Sequence, residues 1–245
     1  MIVMKDFRKE FIEKLKPLYS DLIDNYSKKG DSVFSVQWGE KFPKTNNSGI
    51  MFVGKCLNGS DNGSLNLNVL FGNTKNSLVS KKEQLRWVVE CEGNTEGYNT
   101  NKSAFWRLIK NISQEIYHTN EEEWYRKIAW NNLYKLSPKK GGNTSESTKS
   151  LQFETCAKIL KKEISIMSPK YVIFFTSDWE DDFLTYLNNG EKLKYIDKAS
   201  WGEYKTKVCK IKSKYYIISK HPQCKDEFKH SRAITKLINK IEDID

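Results

Sequence analysis

Three short apolar runs constrain this chain more than any other feature: Ile50-Met51-Phe52-Val53, Tyr171-Val172-Ile173-Phe174-Phe175 and Tyr215-Tyr216-Ile217-Ile218. Each is uncharged and bounded by Gly, Pro or polar residues, as expected of a strand buried on both faces. A fourth strand is expected at 127–134, Lys-Ile-Ala-Trp-Asn-Asn-Leu-Tyr. Helical spacing fills much of the rest. Phe7, Phe11, Leu15, Leu18, Leu22 and Ile23 predict a helix over 5–26, with Pro17 expected to kink or divide it. Further helices are expected at 80–91, 102–117, 151–166 and 227–242, and one capped by Thr176-Ser177-Asp178 and running through Tyr186. In the second of these, Ser103 is the expected cap and Trp106, Ile109 and Ile112 the buried face. Residues 192–211 alternate Lys with apolar side chains, which predicts edge strands with one wet, basic face.

Strands alternating with helices imply an α/β fold: three layers, α/β/α, around a mostly parallel central sheet. One domain is expected over residues 1–245, with 1–45 a helical extension packed on its core. Aromatic residues make up 13% of the chain, which excludes a disordered class. The net charge of +10 points to a polyanionic partner, nucleic acid first. No stretch reaches the ~20 apolar residues a membrane span needs. Five cysteines, at 56, 91, 156, 209 and 224, are dispersed without a CxxC pair. That pattern argues against a disulfide framework, a structural zinc or an iron–sulfur cluster, and no cofactor is expected. It fits a reducing, cytoplasmic compartment.

In sheets of this class ligands bind beyond the carboxyl ends of the strands. Gly54-Lys55-Cys56-Leu57-Asn58-Gly59 follows the first strand, and Gly54 allows close backbone approach to a ligand. Asn132, at the end of the second strand, offers a donor and an acceptor on one amide. His221-Pro222 follows the last strand, and Pro222 stiffens the backbone beside the imidazole. Singly, these read as a turn, a backbone-satisfying Asn and a strand-end His.

Together, and in chain order, they resemble the uracil-DNA glycosylase superfamily. Ile50 to Gly54 is similar to the strand and glycine that open its first motif. Asn132-Leu133-Tyr134-Lys135-Leu136-Ser137-Pro138 is similar to an N-x-x-K-x-x-P segment, and His221-Pro222 to the closing His-Pro. Pro169 to Phe175, then Thr176 to Trp179, takes the place of the third core strand and its helix. The resemblance covers roughly residues 49 to 240. It implies four parallel strands flanked by helices and a pocket for a base flipped out of DNA. By resemblance His221 stabilises charge on the departing base. Asn132 reads the base edge, with Asn131 as the fallback if the register slips. Asn58 positions water, with Asp61 a second candidate. The first motif departs from the pattern, since no Pro follows Gly54 and no carboxylate stands at the water-activating position.

Trp38, Phe71 and Trp179 are candidates for a stacking wall, although an aromatic is more often core. Lys135, Lys139, Lys140 and Lys220 are candidates for contacts to the DNA backbone. Two functions remain open at this point. One is a hydrolase that cuts the N-glycosidic bond of uracil or a related base in DNA, as in DNA repair. The other is the same fold without cleavage, holding nucleic acid, a nucleotide or another protein.

Overall fold

The computed structural model describes residues 2–28, 31–42, 48–59, 65–72, 77–119 and 123–243, with side chains from residue 7 onward. Asp61 lies outside the described residues. The chain runs α1 (Ile2–Tyr26), β1 (Asp31–Val33), β2 (Gln37–Trp38), β3 (Ile50–Gly54), α2 (Leu67–Phe71), α3 (Arg86–Glu90), α4 (Ala104–Tyr117), β4 (Ile128–Asn132) and β5 (Leu136–Pro138). It continues through α5 (Glu146–Met167), β6 (Tyr171–Phe175), α6 (Asp181–Leu187), β7 (Tyr195–Trp201), β8 (Tyr204–Ile211), β9 (Lys214–Ser219) and α7 (Glu227–Glu242).

The central sheet has seven strands in the order β2-β4-β3-β6-β9-β8-β7, not four. Its middle block, β4-β3-β6-β9, is parallel throughout. The antiparallel hairpin β7–β8 extends the sheet beyond β9, and β2 adds an antiparallel strand beyond β4. The reason is that an open strand edge leaves a row of backbone donors and acceptors to be paired. The segment expected to be a helical extension therefore also contributes strand. β1 pairs separately with β5.

Helices cover both faces. Under α1 and α5 lie Met51, Val53, Phe174 and Tyr216, packed with Phe11, Leu15, Ile159 and Leu160. Under α4 and α7 lie Phe52, Trp130, Ile173 and Ile217, packed with Ile109, Ile112, Ile234 and Leu237. Alternation along each strand divides these sets, as side chains of period two require.

Some elements differ from expectation. Pro17 sits inside one unbroken helix, α1. Phe11, Leu15, Tyr19 and Leu22 are fully buried around it, so tertiary packing outweighs the backbone hydrogen bond that Pro cannot make. α3 is only five residues long. α6 begins at Asp181 with no side-chain cap. Ser177 and Asp178 before it serve the next strand end instead, as described below.

Candidate functional site

Parallel pairing sets Gly54 directly opposite Asn132, so two neighbouring strands end at the same level. Both residues belong to the α4/α7 face, in step with Phe52 and Trp130. A Cβ on Gly54 would stand 2.5 Å from Asn132 Oδ1 and 3.4 Å from the Phe105 ring. Glycine is thus what lets the Asn132 amide and Phe105 close over the end of β3.

Asn132 is 2% exposed, yet its Nδ2 has no hydrogen-bond partner among the described residues. A buried amide donor left unpaired costs about 1–3 kcal/mol, so such groups call for an explanation. The backbone of Asn132 is firmly held. Its N–H donates to Asn131 Oδ1 at 2.8 Å, and its carbonyl accepts from Lys135 Nζ at 2.9 Å.

His221 enters from the loop after β9. Its backbone N–H donates to Ser177 Oγ at 2.8 Å, and Ser177 adopts φ 51°. Asp178, at φ 72°, pairs with Lys220. Of the triplet expected to cap α6, Ser177 and Asp178 instead form a left-handed turn that holds Lys220-His221, while Thr176 donates to Glu180. This turn displaces the capping role, because a residue at positive φ cannot sit at a helix N-cap. The Gln223 N–H donates to His221 Nδ1 at 3.3 Å, which places the ring proton on Nε2. Burial, then the charges of Lys55 and Lys225, pull the His221 pKa down to about 4. The imidazole is a neutral N–H donor near neutral pH. Its ring lies at 18° to that of Phe105, with centroids 6.3 Å apart.

Phe105 was not among the expected site residues. It occupies the first turn of α4, where Ser103 Oγ caps the Trp106 N–H at 3.5 Å. A side chain there leans back toward the helix start and so over the strand ends. The Ser103 cap was the available signal for it.

Other expected site residues lie elsewhere. Asn131 points to the opposite face, where Nδ2 donates to Glu163 Oε2 at 2.9 Å and Oδ1 accepts from Lys135. Lys135 is no phosphate contact: it is 0% exposed and pairs with the equally buried Glu163 at 2.7 Å. Asn58 is tied to a neighbouring loop, its Oδ1 accepting the Gly142 N–H at 2.7 Å. Gly141 and Gly142, at φ 91° and 94°, form the turn that makes this clip possible. Lys139 and Lys140 are exposed in the same turn. Lys220 is engaged by Asp178.

The aromatic candidates divide likewise. Phe71 is core, 5.2 Å from the Tyr19 ring and 6.3 Å from that of Phe11. Trp38 is core against Phe7 and Phe11. Trp179 is half-buried, with the ammonium groups of Lys149 and Lys55 at 3.2 and 4.6 Å from its ring centroid. Its π-face is thus already engaged by cations.

A second histidine, His230 of α7, meets the last residue of β9. His230 is wholly buried, its Nε2 lies 2.6 Å from Ser219 Oγ, and Trp201 stacks on it at 3.9 Å. Ser219 is 3% exposed, so this Ser–His pair braces the strand beneath His221 and is closed to a substrate. Burial above all pulls the His230 pKa to about 3. Both histidines thus titrate lower in the folded chain than unfolded, and between pH ~6.5 and ~3 the unfolded chain binds more protons. Stability is full above pH ~6.5 and falls as the pH drops through that window, His230 accounting for on the order of 4 kcal/mol. Urea denaturation at pH 7, 5 and 4 checks this. His230→Gln should flatten the decline, and an unchanged slope would contradict the assignment.

Among the described residues, no group of three His, Cys, Asp or Glu side chains could hold a metal ion. All five cysteines are free thiols. No helix among the described residues is long and apolar enough to cross a membrane. No family model and no curated protein matches the chain.

Proposed function

We propose that this chain is a DNA glycosylase-like protein whose strand-end pocket receives uracil, or a related base, flipped out of DNA, and hydrolyses its N-glycosidic bond. The observation that carries this reading is the buried Asn132 amide, whose Nδ2 has no hydrogen-bond partner among the described residues and whose Oδ1 meets Gly54 at the strand end, where Phe105 lies alongside the neutral His221. An amide donor reads a base carbonyl, an aromatic face stacks on the base, and an imidazole N–H meets the oxygen where charge gathers as the base departs. The parallel block β4-β3-β6-β9 supports the same reading, since the resemblance to uracil-DNA glycosylases implies four parallel strands with the pocket at their ends.

A second reading is favoured by one observation. Asn58 is committed to Gly142, and the position expected to activate water carries no carboxylate. A pocket that holds a base without cutting would have this constitution. Abasic-site formation on single- and double-stranded oligonucleotides containing uracil, hypoxanthine or mismatched thymine separates the two. Abasic product is the expected result. Its absence from every substrate, with base-dependent binding intact, selects the binding reading.

Gly54→Ala tests the pocket geometry under either reading. The added Cβ must displace the Asn132 amide. Affinity for a base-containing oligonucleotide should fall about tenfold, or roughly 1.4 kcal/mol, by fluorescence anisotropy. Parental affinity would show that Asn132 does not read the base.

A further inference from the structure

A groove of about 620 Å³ runs between β7, at the sheet edge, and α7. Lys198, Lys229, Arg232, Lys236 and Lys240 line it, against one carboxylate, Asp197. Asp197 pairs with Lys240 at 2.6 Å. Asp226 and Glu115 hold Lys229 and Arg232 at 3.3 Å each from outside the groove. Lys198 and Lys236 make no ion pair among the described residues. The groove is therefore left with an excess of positive charge.

Phe228 stands in the same groove and is 71% exposed, more than any other large apolar side chain described. The Arg232 guanidinium lies 5.8 Å from its ring centroid. Neither the core nor the fold makes use of that ring. A chain of side-chain contacts leads from the groove toward His221. Trp201 lines it, Tyr204 packs on Trp201 at 4.8 Å, and Lys225 lies 5.1 Å over Tyr204. Lys225 is in turn close enough to His221 for its charge to act on the imidazole.

We propose that the groove between β7 and α7 is a track for single-stranded nucleic acid, with the cations on its phosphates and Phe228 stacked on an unpaired base. This rests on the pocket reading in one respect: the strand in the track is the one that delivers the base to His221. The chemistry favours this occupant. Cations at residues 229, 232, 236 and 240 recur at helical spacing and extend along about 16 Å of α7. That is room for roughly four or five phosphates of a stacked strand at ~3.4 Å each. An aromatic ring with a free face stacks on any exposed base, whereas in a duplex those faces are already covered. A groove this small between two elements also suits one strand better than two.

Fluorescence anisotropy with a labelled mixed-sequence single strand, and with its duplex, tests the track between 50 and 200 mM salt. The double variant Lys198→Glu/Lys236→Glu should bind the single strand at least tenfold more weakly at 100 mM salt. The slope of log affinity against log salt should shrink by about 1.4, for two phosphate contacts at ~0.7 each. Phe228→Ala should weaken binding about tenfold across sequences, with the slope unchanged. Lys9→Glu/Lys16→Glu on α1 makes the same change in net charge and should cost much less; thermal melting confirms that all variants fold. Equal losses from the groove and α1 variants would overturn the track. So would duplex binding as tight as that of the single strand and equally sensitive to the groove variants. Its failure is distinct from failure of the pocket reading. Sensitivity to the groove variants without base recognition leaves the track standing, and base recognition without that sensitivity leaves the pocket standing.

Discussion

Lys135→Met is expected to lower the free energy of unfolding by about 3–5 kcal/mol, the usual result of stranding one member of a buried ion pair. Lys135 and Glu163 are both 0% exposed. The ammonium donates to Glu163 Oε2 at 2.7 Å, to the Asn132 carbonyl at 2.9 Å and to Asn131 Oδ1. Glu163 also accepts from the Tyr19 hydroxyl at 2.7 Å and from Asn131 Nδ2 at 2.9 Å. Removing the cation leaves a carboxylate in the core, takes one donor from the Asn132 carbonyl, and leaves Asn131 Oδ1 with the Asn132 N–H alone. Adding Glu163→Gln should restore part of the loss, because a neutral amide needs no counter-charge, so the two changes are not additive. Urea denaturation of the single and double variants measures both effects. A loss below about 1 kcal/mol for Lys135→Met would contradict a closed network. The same network holds the backbone of Asn132, so the stability of the sheet and the placement of the Asn132 amide depend on one set of bonds.

His221→Ala should have the largest functional effect, slowing base release by about 10²–10³-fold, the typical consequence of removing one preorganised donor to a developing anion. The donor is preorganised in three ways. Ser177 holds its backbone, the Gln223 N–H fixes the tautomer, and Phe105 lies alongside the ring. With a pKa near 4 the imidazole stays neutral above pH ~5, so no His221 titration should appear in the rate between pH 6 and 9. Lys55 and Lys225 act on the imidazole by their charge, and in the proposed reaction the same charges would favour an anionic leaving base. His221→Gln keeps an amide donor and should recover part of the rate. Binding to the track should be unchanged in both variants. If the pocket binds without cutting, the same substitution lowers affinity for the base. An unchanged rate and unchanged base affinity together would remove His221 from the site.

The two polar residues that most misled the sequence reading, Lys135 and Asn58, did so for the same reason. A lysine is a surface residue by default, and nothing local marks Lys135 as paired with Glu163, 28 positions later in the chain. Asn58 had the right chemistry in the right loop, but its partner is Gly142, in a loop contributed by another part of the chain. Phe71 and Trp38 are rings whose facing element is α1, a matter of packing that composition does not carry. Ser177 and Asp178 were read by their capping chemistry, while their positive φ values follow from holding Lys220-His221.

What the sequence determined by itself is local and periodic. Short unbroken apolar runs bounded by turn residues read as strands covered on both faces, so the α/β class followed, and with it the rule that a ligand site lies beyond the strand ends. Gly54, Asn132 and His221 were legible because each immediately ends or follows such a strand. Tertiary structure decided which residues share a face. It set Asn132 against Gly54 and Phe105 alongside His221, sent Asn131 and Lys135 into the opposite core, and placed the edge hairpin against α7 to make a basic groove. The physical reason is that pairing register, partner and side-chain direction depend on residues far apart in the chain, whereas periodicity records only near neighbours.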